Sequence, residues 1–224
     1  MKNNEKRILQ PSKRTLLLGA AVGSAFLLTG CPALFVGGVA LGAAVAFDRR
    51  SAGAQADDPV INVKVAQDLS TALEGTHINV NSYNRRVLLT GEVRSAEQKA
   101  QAEAIAGKVS GVREVINALA IGPNTSMGSR SNDTYLTGKV KTAITGVDGV
   151  SAGDVKVITE RSVVYLMGLL TAQEAALVSG AVATVGGVRQ VVRVFEIITE
   201  EELRRMQERV VEQPDVPPDS NPRG

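Results

Sequence analysis

Val109-Ser-Gly-Val-Arg-Glu-Val115 returns as Val185-Gly-Gly-Val-Arg-Gln-Val191, and Arg86-Val-Leu-Leu-Thr-Gly91 returns as Val163-Val-Tyr-Leu-Met-Gly168. Working outward, His77-Ile-Asn-Val80 is answered by Asp154-Val-Lys-Val157. Asp58 with Ile61, Lys64 and Val65 is answered by Asp133 with Leu136, Lys139 and Val140. The offset stays between 75 and 77 residues throughout. A long, nearly fixed offset over several segments marks two copies of one unit. The copies span residues 57–122 and 131–199, with 123–130 as a Gly-, Ser- and Asn-containing linker.

Each copy shows the same order of elements. Asp58-Pro59 reads as a helix start, an acid at the N-cap followed by proline at the first helical position. Ile61, Val65, Leu69 and Leu73 then recur every four residues, as one face of a helix does. Leu136, Val140, Ile144 and Val147 do the same in the second copy. Two strands follow, 78–83 and 86–93, about an Asn84-Arg85 turn, with counterparts at 155–159 and 163–170. Ser95-x-x-Gln98 and Thr171-x-x-Glu174 are capping boxes that open Ala-rich helices. Final strands, rich in β-branched residues, cover 112–121 and 188–198. The α-β-β-α-β order, with a right-handed crossover, implies an α+β fold. Each module is expected to hold a three-stranded mixed sheet with two helices on one face. A 60-residue domain buries only about 60% of its unfolded surface, so the two modules are expected to pack together. Residues 200–209 read as a charged helix, and 200–224 as a whole as that helix plus a Pro-rich, disordered tail.

The N-terminus belongs to a different class of segment. Lys2, Lys6, Arg7, Lys13 and Arg14 precede an apolar run from Leu16 to Leu28. A basic region before a short apolar one is a secretory signal, and 13 residues fall short of the roughly 20 that a spanning helix needs. The run ends in Leu28-Thr29-Gly30-Cys31, which resembles the lipobox of bacterial lipoproteins and makes residues 1–30 a signal peptide. Cys31, the only cysteine, would become the acylated N-terminus. With one thiol, no intrachain disulfide can form. Residues 31–56 then comprise the acylated cysteine, a second apolar stretch and a polar linker from Asp48. Cleavage at Cys31 would sever the apolar run, which favours a segment close to the membrane surface over a continuous span.

Charge points away from nucleic acid. Residues 1–30 hold five of the 25 basic groups and one of the 23 acidic ones, so the remaining chain carries a net charge of −2.

With the repeat in place, the modules resemble the BON domain, named for bacterial osmotically induced and nodulation proteins. The resemblance rests on the element order, on Val87-Leu-Leu-Thr-Gly91 and Val164-Tyr-Leu-Met-Gly168, and on the Gly-Val-x-x-Val openings at Gly111 and Gly187. Joined to a lipobox, it is a resemblance to dual-BON outer-membrane lipoproteins, covering 57–198 and sharpest over Ser131–Val140. It implies a non-enzymatic protein, lipid-anchored on the periplasmic side of the outer membrane, that supports membrane integrity. It further implies that the first helix of the second module binds anionic phospholipid, with Tyr135, Leu136, Gly138, Lys139 and Thr142 as candidate contacts. The chain departs from the close members at Tyr135, where tryptophan is usual, and in its extension after Ile198.

The residue chemistry admits that function. At 100° per residue, Tyr135 lies about 120° from the centre of the apolar face, flanked by Lys139 and Thr142. A tyrosine ring suits headgroup depth, and each basic group near an anionic surface contributes about 1 kcal/mol; Lys139, Lys141 and Arg130 are available. The competing reading makes Tyr135 a cap against its own domain or the neighbouring module. The matching position in the first copy is Val60, so the copies are not interchangeable. A rival function is a scaffold for outer-membrane assembly factors. Catalysis finds no support: His77 is the only histidine, and one cysteine and one histidine assemble neither a nucleophile pair nor a metal cluster. No cofactor is expected.

Overall fold

In the computed structural model, which describes residues 48–211, the period-four apolar residues become buried stripes. The lipobox, the apolar stretch to Phe47 and the residues beyond 211 lie outside the described residues. In the first module, α1 (Ala52–Ala72) buries Ile61, Val65 and Leu69. Strands β1 (His77–Tyr83) and β2 (Arg86–Val93) form an antiparallel hairpin. Helix α2 (Ala96–Lys108) crosses over to β3 (Glu114–Asn117) and β4 (Ala120–Ile121), both parallel to β2. The second module repeats this with α3 (Met127–Thr145), the β5–β6 hairpin (Val155–Glu160, Val163–Leu170), α4 (Ala172–Ala183) and β7 (Gln190–Ile197). Helix α5 (Glu200–Val211) follows. The protein is thus α+β with two mixed sheets, one of three strands and one of four.

Three sequence expectations are corrected. The first helices begin earlier than Asp58 and Asp133: Ser51 and Ser126 are the N-caps, their hydroxyls accepting from Ala54 N and Ser129 N. Pro59 therefore lies inside α1, and part of the stretch read as linker is helical. Asp58 and Asp133, both buried, serve the hairpins instead. Asp58 accepts from Asn84 N and Arg85 N, and Asp133 from Arg161 N and Ser162 N, all at 2.8 Å. Those four turn residues have positive φ, between 51° and 63°, as a two-residue I′ hairpin requires. A carboxylate gripping both turn amides compensates for the missing glycines. The third correction concerns the last strand of the first module, which breaks at Ala118–Leu119. There, Leu119 N donates to the Asn117 side chain rather than to β2, while β3 and β4 keep one register along β2.

Strand side chains alternate between faces, and here both faces are used. Val87 and Leu89 of β2 meet α1 and α2 in one core, and Val164 and Leu166 of β6 meet α3 and α4 in another. Leu88 and Tyr83 point the other way and join Ile158, Met167, Leu169 and Val194 in a third cluster, to which α5 adds Leu203. The two sheets therefore pack against each other. Burying such side chains contributes about 1.5–3 kcal/mol each, which offsets the small size of each module. Polar contacts rim this core: Lys156 Nζ donates to Ser82 O at 3.0 Å, and Arg86 to Val194 O at 3.0 Å.

Candidate functional site

Helix α3 sorts its residues by depth. Leu136, Val140 and Ile144 are buried, and Tyr135 stands 68% exposed, outside all three cores. Lys139 Nζ lies 5.7 Å from the Tyr135 ring centroid, within cation–π reach. It also donates to Gly186 O at 2.6 Å. An ammonium has three donors, so this bond fixes the head while leaving donors for an external anion. The loop carrying Gly186 comes this close because Gly187 has φ +104° and no side chain; a Cβ there would sit 2.8 Å from Leu136 Cδ2.

Tyr135, Gly138, Lys139, Thr142 and Ala143, with Thr184 and Val185 across from them, line an open groove of about 510 Å³. A Cβ on Gly138 would meet nothing within 4 Å. Helical glycine costs about 1 kcal/mol against alanine, and no packing demand within the fold requires it here. Thr142 is exposed, its hydroxyl donating back to Gly138 O at 3.1 Å. The structure thus gathers four of the five candidate residues on one surface. The fifth, Leu136, is 2% exposed and forms part of the support beneath that surface. Lys141 is exposed but about 120° around the helix from Tyr135, by helix geometry. No helix among the described residues is long and apolar enough to cross a membrane.

Sequence reasoning missed two polar clusters. Arg49, in the stretch read as linker, is buried against the second module. Its guanidinium donates to both oxygens of Glu174 at 2.7 and 2.8 Å, to Asp154 at 3.1 Å and to Leu169 O at 3.0 Å. Burial works against its charge, but these partners outweigh that and raise its pKa. Elsewhere His77 Nδ1 lies 2.9 Å from Glu92 Oε2, and Glu160 joins them from the second module. The hairpin register sets His77 opposite Glu92, and only the sheet-to-sheet packing brings Glu160 of β5 to them.

Comparison with known proteins agrees with this architecture. The BON domain profile matches residues 57–123 and 132–199. The chain is 39% identical over 195 residues to the outer membrane lipoprotein DolP of Haemophilus influenzae, covering 85% of this chain and 98% of that protein. It is 34% identical over 154 residues to a 21 kDa hemolysin of Actinobacillus pleuropneumoniae, covering 67% of this chain and 79% of that one. Two matched domains over most of the chain, with that identity, show that it belongs to the BON family as a lipoprotein of the DolP type.

Proposed function

We propose that the protein is a non-enzymatic, lipid-anchored component of the outer membrane, on its periplasmic side, that binds anionic phospholipid through α3 and supports membrane integrity. The observation that carries this reading is the exposed Tyr135 ring beside the Lys139 ammonium on an open groove. The ring would settle among headgroups while the ammonium meets phosphate, and Gly138 lets the helix backbone approach closely. Acylation at Cys31 would hold the protein at the membrane, so a weak, salt-sensitive contact suffices to orient it. The outer-membrane destination rests on the relative's name and the resemblance, with Pro32 after the cysteine.

Flotation of the chain from Pro32 onward, which lacks the acyl anchor, tests the lipid contact. Vesicles containing phosphatidylglycerol should carry the protein, and phosphatidylcholine vesicles should not. Tyr135→Ala and Lys139→Glu should each weaken the effect. A second reading, a scaffold for assembly proteins, draws on Val60 and Val63, which are 52% and 65% exposed on α1. Binding that ignores both α3 substitutions and lipid charge would favour the scaffold.

A further inference from the structure

The repeat relates the two polar clusters to each other. At its 77-residue offset His77 corresponds to Asp154, Glu92 to Leu169 and Tyr83 to Glu160. One cluster forms where β1 begins, against Glu160 of the second module, and the other where β5 begins, against the segment that precedes α1. At the Asp154 end, two carboxylates close around Arg49. At the His77 end, two carboxylates again converge. Glu92 has no exposed surface and Glu160 is 7% exposed. Among the described residues the side chains that bond them are Thr125, Asn79 and His77, none with a permanent positive charge.

Buried carboxylates this close repel, and something positive must offset them. Burial pushes the Glu160 carboxyl up, and only the hydrogen bond from Asn79 and the neighbouring His77 oppose it. Burial acts on Glu92 too, but its bonds from Thr125 and His77 win and hold it ionised, below the usual range. One imidazole nitrogen and two carboxylate oxygens lie within 4.8 Å of one another. Tetrahedral metal–ligand bonds of about 2.0–2.2 Å set ligand atoms roughly 3.4 Å apart, so the widest pair would close by about 1.4 Å. The outer partners of a metal site are also in place: Thr125 N holds Glu92 at 3.0 Å, and Asn79 Nδ2 holds Glu160 at 2.8 Å.

We propose that His77, Glu92 and Glu160 form a divalent-cation site of the zinc class that joins the two modules, the metal standing where Arg49 stands at the related end. The remaining coordination positions would take water. The ion would then clamp the first hairpin to β5 and make the docking of the modules metal-dependent. This site is separate from the α3 groove and does not rely on the lipid reading.

The full chain, purified in detergent and stripped with a chelator, should be titrated with zinc sulfate near neutral pH by calorimetry and thermal unfolding. The expected result is one ion per chain and a rise in Tm that EDTA reverses. Glu160→Gln and His77→Gln should each weaken binding by more than the roughly 10–100-fold that outer partners contribute. Because His77 is the only histidine, nitrogen-15 histidine NMR of the unmodified protein gives a readout independent of variant folding: its ring signals should shift on adding zinc. Absence of saturable binding, binding undiminished in both variants, or binding with unmoved His77 signals would each overturn the proposal.

Discussion

Helices α1 and α3 occupy the same place in their modules and differ where the fold makes no demand. Their buried stripes match, Ile61, Val65 and Leu69 against Leu136, Val140 and Ile144. Their exposed faces do not. Val60, Val63, Gln67 and Asp68 stand where α3 has Tyr135, Gly138, Thr142 and Ala143, while Lys64 and Lys139 agree. Module one thus shows branched apolar side chains and a carboxylate that would repel an anionic headgroup. Module two shows an amphipathic ring, a bare backbone and no acid along the groove. Duplication fixed the buried half of the helix and left the outer half free to diverge. One scaffold can therefore carry a surface-binding helix and a second helix suited to something else.

The comparison breaks most severely at the ends of the sheet contact. Arg49→Ala strands Asp154 and Glu174, two buried acids, and should cost about 3–5 kcal/mol in urea unfolding. A cost under 1 kcal/mol would show that the N-terminal segment does not lock the second module. The hairpins come next. Asp133→Ala leaves two turn amides without partners and should cost about 1–3 kcal/mol. Asp58→Ala should cost more, because Asp58 also accepts from Ser82 at 2.7 Å and from Arg50 at 2.7 Å. Equal losses would mean that these additional bonds contribute nothing net.

Asp58 also sets a pH dependence. Burial would raise its pKa, yet hydrogen bonds from Arg85 N, Ser82, Arg50 and Asn84 N hold it lowered. A lowered folded value means the stabilisation is present above the unfolded pKa of about 3.9 and is lost as pH falls through the folded one. Wild-type Tm should therefore fall in acid below about pH 4, and Asp58→Asn should flatten that part of the curve. The smallest effect belongs to the groove. Gly138→Ala should stabilise α3 by up to about 1 kcal/mol, read by thermal unfolding, while Gly138→Val, which copies module one, should weaken flotation with anionic vesicles. Unchanged flotation would mean that the bare backbone is not used.

Much of the architecture was legible because it was written twice: the repeat aligned helices, strands and turns without any single propensity having to be strong. The misread helix start shows the limit. Asp58-Pro59 carries the chemistry of an N-cap, and nothing local reveals that the acid is needed by a turn some 26 residues later. The broken strand turned on the Asn117 side chain capturing Leu119 N, a competition between side chain and ladder that β-branched content does not report. On the candidate surface, periodicity alone separated Tyr135 from the core. The resemblance implies Leu136 as a contact, whereas its period-four partners mark it as core, where the structure places it. The role of Arg49 and the arrival of Glu160 beside the His77–Glu92 pair were illegible because each depends on a contact with a distant part of the chain.

The most direct measurement uses a property of the composition, since the chain has no tryptophan. Tyr135→Trp and Val60→Trp, made separately in the chain from Pro32 onward, place a single reporter at equivalent points of α3 and α1. With vesicles containing phosphatidylglycerol, emission from position 135 should shift to the blue and brighten, and that from position 60 should stay as in buffer. Phosphatidylcholine vesicles should move neither. An unshifted reporter at 135, or equal shifts at both positions, would contradict an α3 that meets the bilayer while α1 does not.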